Sequence, residues 1–144
     1  MKKLILISFL LGIIFASVNA QNSVSIDVTG LDNTSGKLYV ALFDSKVPFL
    51  SSQAVDGKIA DVTDKTVSVT FEDLEAGEYG VAMFYDENAN GKLDLGEYGI
   101  PTEKYGFSNN VDPATLQRPP VFDECKFEVK GNTVISVKLV SAIK

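Results

Sequence analysis

Beyond its first twenty residues the chain is written in period two. Val24, Ile26 and Val28 alternate with Ser23, Ser25, Asp27 and Thr29, the mark of a strand with one buried face. Asp32-Asn33-Thr34-Ser35-Gly36 reads as a turn. Lys37 to Phe43 then sets Leu38, Val40 and Leu42 against Tyr39, Ala41 and Phe43, and the two strands are expected to pair as a hairpin. Asp44 to Val55, with Pro48 and a Ser pair, reads as a loop, and Gly57 to Val62 as a short strand. Thr66 to Phe71 alternates again. Glu72 to Gly77 turns the chain into Glu78 to Tyr85, which is apolar on both faces and so belongs in the middle of a sheet. Cys125 to Lys130, a Gly131-Asn132 turn and Thr133 to Val140 predict a second hairpin. Six or seven short strands without a long helical period in this region predict an all-β fold, an immunoglobulin-like or prealbumin-like antiparallel β-sandwich of about seven strands; mixed α+β is the alternative. Between the last two strand groups, Glu97 to Glu124 carries Pro101, Pro113, Pro119 and Pro120 together with Tyr98, Tyr105 and Phe107. Connections this long in compact domains carry function or need support. Asp112-Pro113 is suited to capping one helical turn within it.

Residues 1–20 follow a different pattern. Lys2 and Lys3 precede an apolar run from Leu4 to Ala16, and Val18-Asn19-Ala20 offers a cleavage site, so the segment reads as a secretory signal peptide with Gln21 as the mature start. The apolar run is short of the roughly 20 residues that a spanning helix needs, which speaks against a retained anchor. No Cys follows it to take a lipid. Residues 21–144 are expected to form one β-sandwich domain with an insertion over 86–124, placed in the periplasm or the medium.

Composition narrows the chemistry. With 144 residues, 45% hydrophobic and 22% charged, the chain has a core to bury and room for one domain. It contains no His, which removes the commonest general base and zinc ligand, and its one Cys excludes an internal disulfide or a CxxC pair. The net charge is −6, and cleavage at Ala20 would remove two lysines and no acid, giving −8. Such a surface repels phosphate backbones and anionic headgroups and attracts cations, so nucleic acid and membrane insertion are not expected. Cys125 lies in a short apolar pattern and is expected on a strand, buried and inert. Asn33-Thr34-Ser35 matches a glycosylation sequon but is read as turn chemistry.

One segment carries a specific chemical pattern. Asp86-Glu87-Asn88-Ala89-Asn90-Gly91-Lys92-Leu93-Asp94-Leu95-Gly96-Glu97 satisfies D-x-[DN]-x-[DN]-G-x5-E at every specified position. Calcium takes six to eight oxygens. Asp86, Asn88 and Asn90 would present three from alternate positions, with Gly91 supplying the sharp turn. The Lys92 carbonyl, Asp94 (directly or through water) and Glu97 would complete the shell, while Leu93 anchors the loop. A full match arises by accident on the order of once in some thousands of chains of this length. The loop follows a strand, and Gly96, Gly99 and Pro101 discourage a helix after it, so an EF-hand is not expected. Two neutral amides among the ligands predict an affinity of roughly 10^-5 to 10^-3 M, suited to extracellular calcium. The competing reading is an Asn/Gly turn whose side chains cap their own backbone.

The stretch Asp86 to Asp94, followed by Gly99-Ile100-Pro101-Thr102-Glu103-Lys104-Tyr105-Gly106-Phe107-Ser108-Asn109-Asn110 and later by Pro119-Pro120 and Phe122-Asp123, resembles the bacterial secreted family catalogued as domain of unknown function 2141. The resemblance covers most of the chain after the leader and implies an exported β domain without an assigned activity. It also implies that His is common where Tyr85 stands and a small apolar residue where Cys125 stands, and that Glu97 is not a dependable part of the pattern.

Glu103, Tyr105, Phe107 and Asn109, with Ser108 and Asn110, combine aromatic faces with hydrogen-bonding groups and form a second candidate surface, suited to sugar or peptide. The alternative is a loop folded onto the sandwich edge, its aromatics buried and its Asn side chains bonding backbone. Glu103 with Asp123 or Glu124 could supply a hydrolytic carboxylate pair, but in a chain with 19 acids such pairs are cheap. The sequence therefore points to an exported, calcium-stabilised envelope or secreted module acting by binding or scaffolding rather than catalysis, its partners calcium and a glycan or envelope protein. A carbohydrate-binding module using 97–124 and a small carboxylate hydrolase are the alternatives.

Overall fold

The computed structural model describes residues 21–143; the expected signal peptide lies outside them. Eight strands follow one another: β1 (Asn22–Thr29), β2 (Lys37–Asp44), β3 (Asp56–Asp61), β4 (Val67–Leu74), β5 (Gly77–Asp86), β6 (Tyr105–Phe107), β7 (Phe127–Val129) and β8 (Asn132–Lys138). They form two sheets, a three-stranded one in the order β4-β1-β8 and a five-stranded one in the order β3-β2-β5-β6, with β7 also on β5. This is the expected all-β sandwich. All pairs are antiparallel except β1 with β8.

Alternation within each strand builds the core. Val24, Ile26 and Val28 of β1, Phe71 of β4 and Val137 of β8 turn inward from one sheet, and Leu38, Val40 and Leu42 of β2 with Val81, Met83 and Tyr85 of β5 turn inward from the other. Each aliphatic side chain so buried contributes about 1.5–3 kcal/mol. As its two apolar faces require, β5 is internal, with β2 along one edge and β6 and β7 sharing the other. Between those two short partners the Ser108 hydroxyl accepts the Val81 N–H at 2.9 Å and donates to the Cys125 carbonyl, so a side chain fills the gap in the ladder.

Both expected hairpins are absent. β1 and β2 lie in different sheets, and so do β7 and β8; the turns at Asp32–Gly36 and Gly131-Asn132 carry the chain across the sandwich instead of back along one sheet. Period-two alternation specifies which face of a strand is buried but not which edge it pairs with, so β1 and β2, like β7 and β8, bury the same core from opposite sides. Cys125 is likewise not on a strand. It ends a helical turn, Phe122–Cys125, ahead of β7. The expected turn at Asp112-Pro113 is present over Pro113–Leu116, with Asp112 Oδ1 accepting the Ala114 N–H at 2.9 Å. β6 arises inside the long connection. It approaches β8 so closely that a Cβ on Gly106 would stand 2.9 Å from Val137 Cγ1.

Candidate functional site

Asp86 closes β5 and is fully buried, yet it carries a carboxylate. Its two oxygens take amides four and five residues ahead, Oδ1 from Asn90 N–H at 3.0 Å and Oδ2 from Gly91 N–H at 2.8 Å. Asn88 Oδ1 accepts the Asn90 N–H at 3.0 Å and Asn90 Oδ1 accepts the Lys92 N–H at 2.9 Å, so each alternate side chain folds back on the backbone two residues ahead. Gly91, at φ +80°, makes the turn. Across the loop, Asn88 Nδ2 lies 2.6 Å from Asp94 Oδ2 and Asn90 Nδ2 lies 2.9 Å from both Asp94 oxygens. Asn88, Asn90 and Asp94 thus converge beside Asp86.

A second carboxylate fastens this loop from outside. Glu103, 7% exposed, accepts the Glu87 N–H through Oε1 and the Asp94 N–H through Oε2, each at 3.0 Å. The Asp94 carbonyl takes the Thr102 N–H at 2.9 Å, and Leu95 pairs with Pro101. Lys104 continues the tie, its ammonium 2.8 Å from the Gly30 carbonyl and 2.7 Å from Asp32. Asn33 donates to Glu87, and Tyr85, buried with its phenol pushed up by that burial, donates to the Ser35 carbonyl at 2.6 Å. The connection between β1 and β2 therefore braces the loop.

The donor set fits a hard divalent cation in its chemistry: the Asp86 and Asp94 carboxylates, the Asn88 and Asn90 amides and the Lys92 carbonyl are all oxygen sources within one tight loop. As placed, the amide nitrogens of Asn88 and Asn90 face Asp94, and turning either amide to offer its oxygen there would give up its bond to the Asn90 or Lys92 N–H. Glu97 is placed differently. It opens the 3-10 turn Glu97–Gly99, exposed to solvent, and among the described residues no three His, Cys, Asp or Glu side chains gather as a metal cluster.

The second candidate surface is dispersed. Tyr105 is 8% exposed on β6, and Phe107 leans against Phe49. Asn109 donates from Nδ2 to the carbonyls of Glu124 and Lys126, each at 3.0 Å, and Asn110 Oδ1 accepts the Lys138 N–H at 2.7 Å. Tyr98 alone of the loop aromatics is free, at 96% exposure. Glu103 serves the loop, Asp123 faces Lys126, and Glu124 is held by Arg118 at 2.6 Å, so these carboxylates stand in separate contacts.

One feature went unread in the sequence. The two sheets differ on their outer faces. The three-stranded sheet shows Ser25, Asp27, Ser68 and Thr70, whereas the five-stranded sheet shows Tyr39, Ala41 and Phe43 of β2 beside Ala82 and Phe84 of β5. Over this second face the segments 93–101 and 113–120 stand as banks of a cleft of about 1240 Å³. The signal was present in β2, which is as apolar on its second face as β5.

A family model described as an uncharacterized protein conserved in bacteria, DUF2141, matches residues 26–136. The chain belongs to the DUF2141 family. The match runs from within β1 to within β8, so it takes in both sheets, the Asp86–Asp94 loop and both banks of the cleft. No curated protein and no solved structure matches the chain.

Proposed function

We propose that this DUF2141 domain is an exported module, stabilised by calcium, that acts by binding or scaffolding rather than by catalysis. The observation that carries the reading is the convergence of Asn88, Asn90 and Asp94 beside buried Asp86. Asp86, Asn88, Asn90, Asp94 and the Lys92 carbonyl would hold the ion; Glu97, on the following turn, is a ligand on spacing alone. A bound ion would supply positive charge to the Asp86 and Asp94 carboxylates of one loop.

The chain's own residues translate that occupancy into shape. Glu103 and Thr102 grip Asp94, and Leu93 and Leu95 on either side of it line the cleft. With an ion on Asp94, these contacts would fix one bank of the cleft. The leader pattern over residues 1–20 supports export to the periplasm or the medium, a setting suited to a calcium site of the expected weak affinity.

Thermal melting with calcium, with magnesium and with chelator tests the reading. Ligand at a hundred times its dissociation constant stabilises by about 2.7 kcal/mol, so calcium should raise the midpoint by several degrees. Magnesium should do less, since it demands a tight octahedron and keeps its water. A midpoint indifferent to both calcium and chelator would reduce the loop to a turn.

A further inference from the structure

We propose that the cleft on the outer face of the five-stranded sheet binds the acyl chain of an uncharged lipid. The proposal rests on the binding half of the reading above and not on calcium.

The rows of the sheet define the site. Tyr39 stands opposite Phe84 with rings stacked 4.8 Å apart, and Ile59 flanks Tyr39 on the edge strand. Two residues further along, the row is Gly57, Ala41 and Ala82; beyond it rises Phe43, with Phe49 edge-on at 5.1 Å. Small residues between two aromatic ridges make a trough that crosses β3, β2 and β5, about 10 Å at the usual strand spacing. It is closed by Phe107 on β6 and open at β3, where Ile59 is 60% exposed.

Charge and hydrogen bonding select the occupant. Among the described residues no Asp or Glu lines the cleft, in a chain whose net charge is −6. Of its two cations, Lys58 places its ammonium 5.6 Å over the ring of Phe71, on the core side of the sheet, and Arg118 is bound by Glu124. The trough therefore offers no free charge to an ionic ligand. Its floor along Gly57, Ala41 and Ala82 is the face of a sheet, whose N–H and C=O groups lie sideways in the ladders, so a ligand seated in the trough itself meets apolar side chains and no hydrogen-bonding partner. A second copy would bring the same negative charge. A polymethylene chain has the length, the narrow section and the lack of polar groups that remain.

The test is calorimetric titration of the domain with 1-monolauroylglycerol below its aggregation concentration, once with calcium and once with chelator. One saturable site is expected. Ala41→Phe and Ala82→Phe fill the trough from its solvent side and should weaken binding at least tenfold with melting unchanged. Ile59→Ser, at the open end, should weaken it about threefold should both Phe variants fail to fold. Laurate, the same chain with a carboxylate, should bind at least tenfold more weakly than the glyceride. No saturable binding, equal binding by folded trough variants, laurate as tight as the glyceride, or a site filled by naphthalene but not by the glyceride would each overturn the proposal. A failed calcium shift with glyceride binding intact would overturn only the metal reading.

Discussion

Glu103 Oε2 accepts the backbone N–H of Asp94 at 3.0 Å, nine residues earlier in the chain, while its partner oxygen holds the N–H of Glu87. One buried carboxylate thereby spans both ends of the Asp86–Asp94 loop. Glu103→Gln keeps the shape but turns an amide donor toward one of those N–H groups. Leaving a buried donor unmatched costs about 1–3 kcal/mol, so urea unfolding should show a loss of that size. Wild-type stability in the variant would mean that the two bonds do not brace the loop.

Ala89 sits at φ +57° in the same loop, a left-handed conformation that a side chain resists. Ala89→Gly should stabilise the metal-free protein by about 1 kcal/mol, the strain relieved being partly offset by the greater freedom of glycine in the unfolded chain. Gly91→Val should do the reverse. A Cβ at Gly91 would meet nothing nearer than the Tyr39 hydroxyl at 3.6 Å, so any loss there reports backbone strain rather than crowding.

The fold class was legible because alternation reports burial directly: Val24, Ile26 and Val28, then Leu38, Val40 and Leu42, all face the core. Strand pairing was not, since the turns at Gly36 and Gly131 serve a crossing between sheets as well as a hairpin. The loop was legible in Asp86, Asn88, Asn90 and Asp94 because short-range spacing fixes an Asx-rich turn. Glu103 was assigned to a ligand surface instead of the loop, because the contact depends on how 94–102 doubles back and local sequence does not encode that. The cleft escaped because residues apolar on both faces of β2 and β5 read as doubly buried, whereas a partial cover of loops leaves the second face open.

Acid should loosen the Arg118 clamp. The hydrogen bond from Arg118, helped by the Val121 N–H, holds the Glu124 carboxyl down at about 2, against an ordinary value of 4.5. A lowered folded-state value gives stability that is complete above the unfolded value and disappears as pH falls through the folded one. Wild type should therefore exceed Glu124→Gln in melting midpoint above pH 4.5, and the gap should close on the way to about pH 2. A gap constant across that window would contradict the ion pair.

Cys125 is fully buried, and burial together with the nearby Glu124 charge pushes its thiol up to about 11. The thiolate is the reactive form, so a maleimide at pH 7.5 should label native protein far more slowly than urea-unfolded protein. Equal rates would place the sulfur at the surface. Cys125→Ala should fold, with a loss of about 1 kcal/mol from the small void.

Calcium binding itself decides the central claim. Titration calorimetry at neutral pH should show one site with a dissociation constant of roughly 10^-5 to 10^-3 M in the wild type. That heat should vanish in Asp86→Ala and Asp94→Ala, and a weakened but measurable isotherm in Glu97→Gln would enrol that residue as a ligand. Absence of calcium heat at millimolar concentrations in the folded wild type, or an isotherm unchanged by Asp94→Ala, would contradict the account.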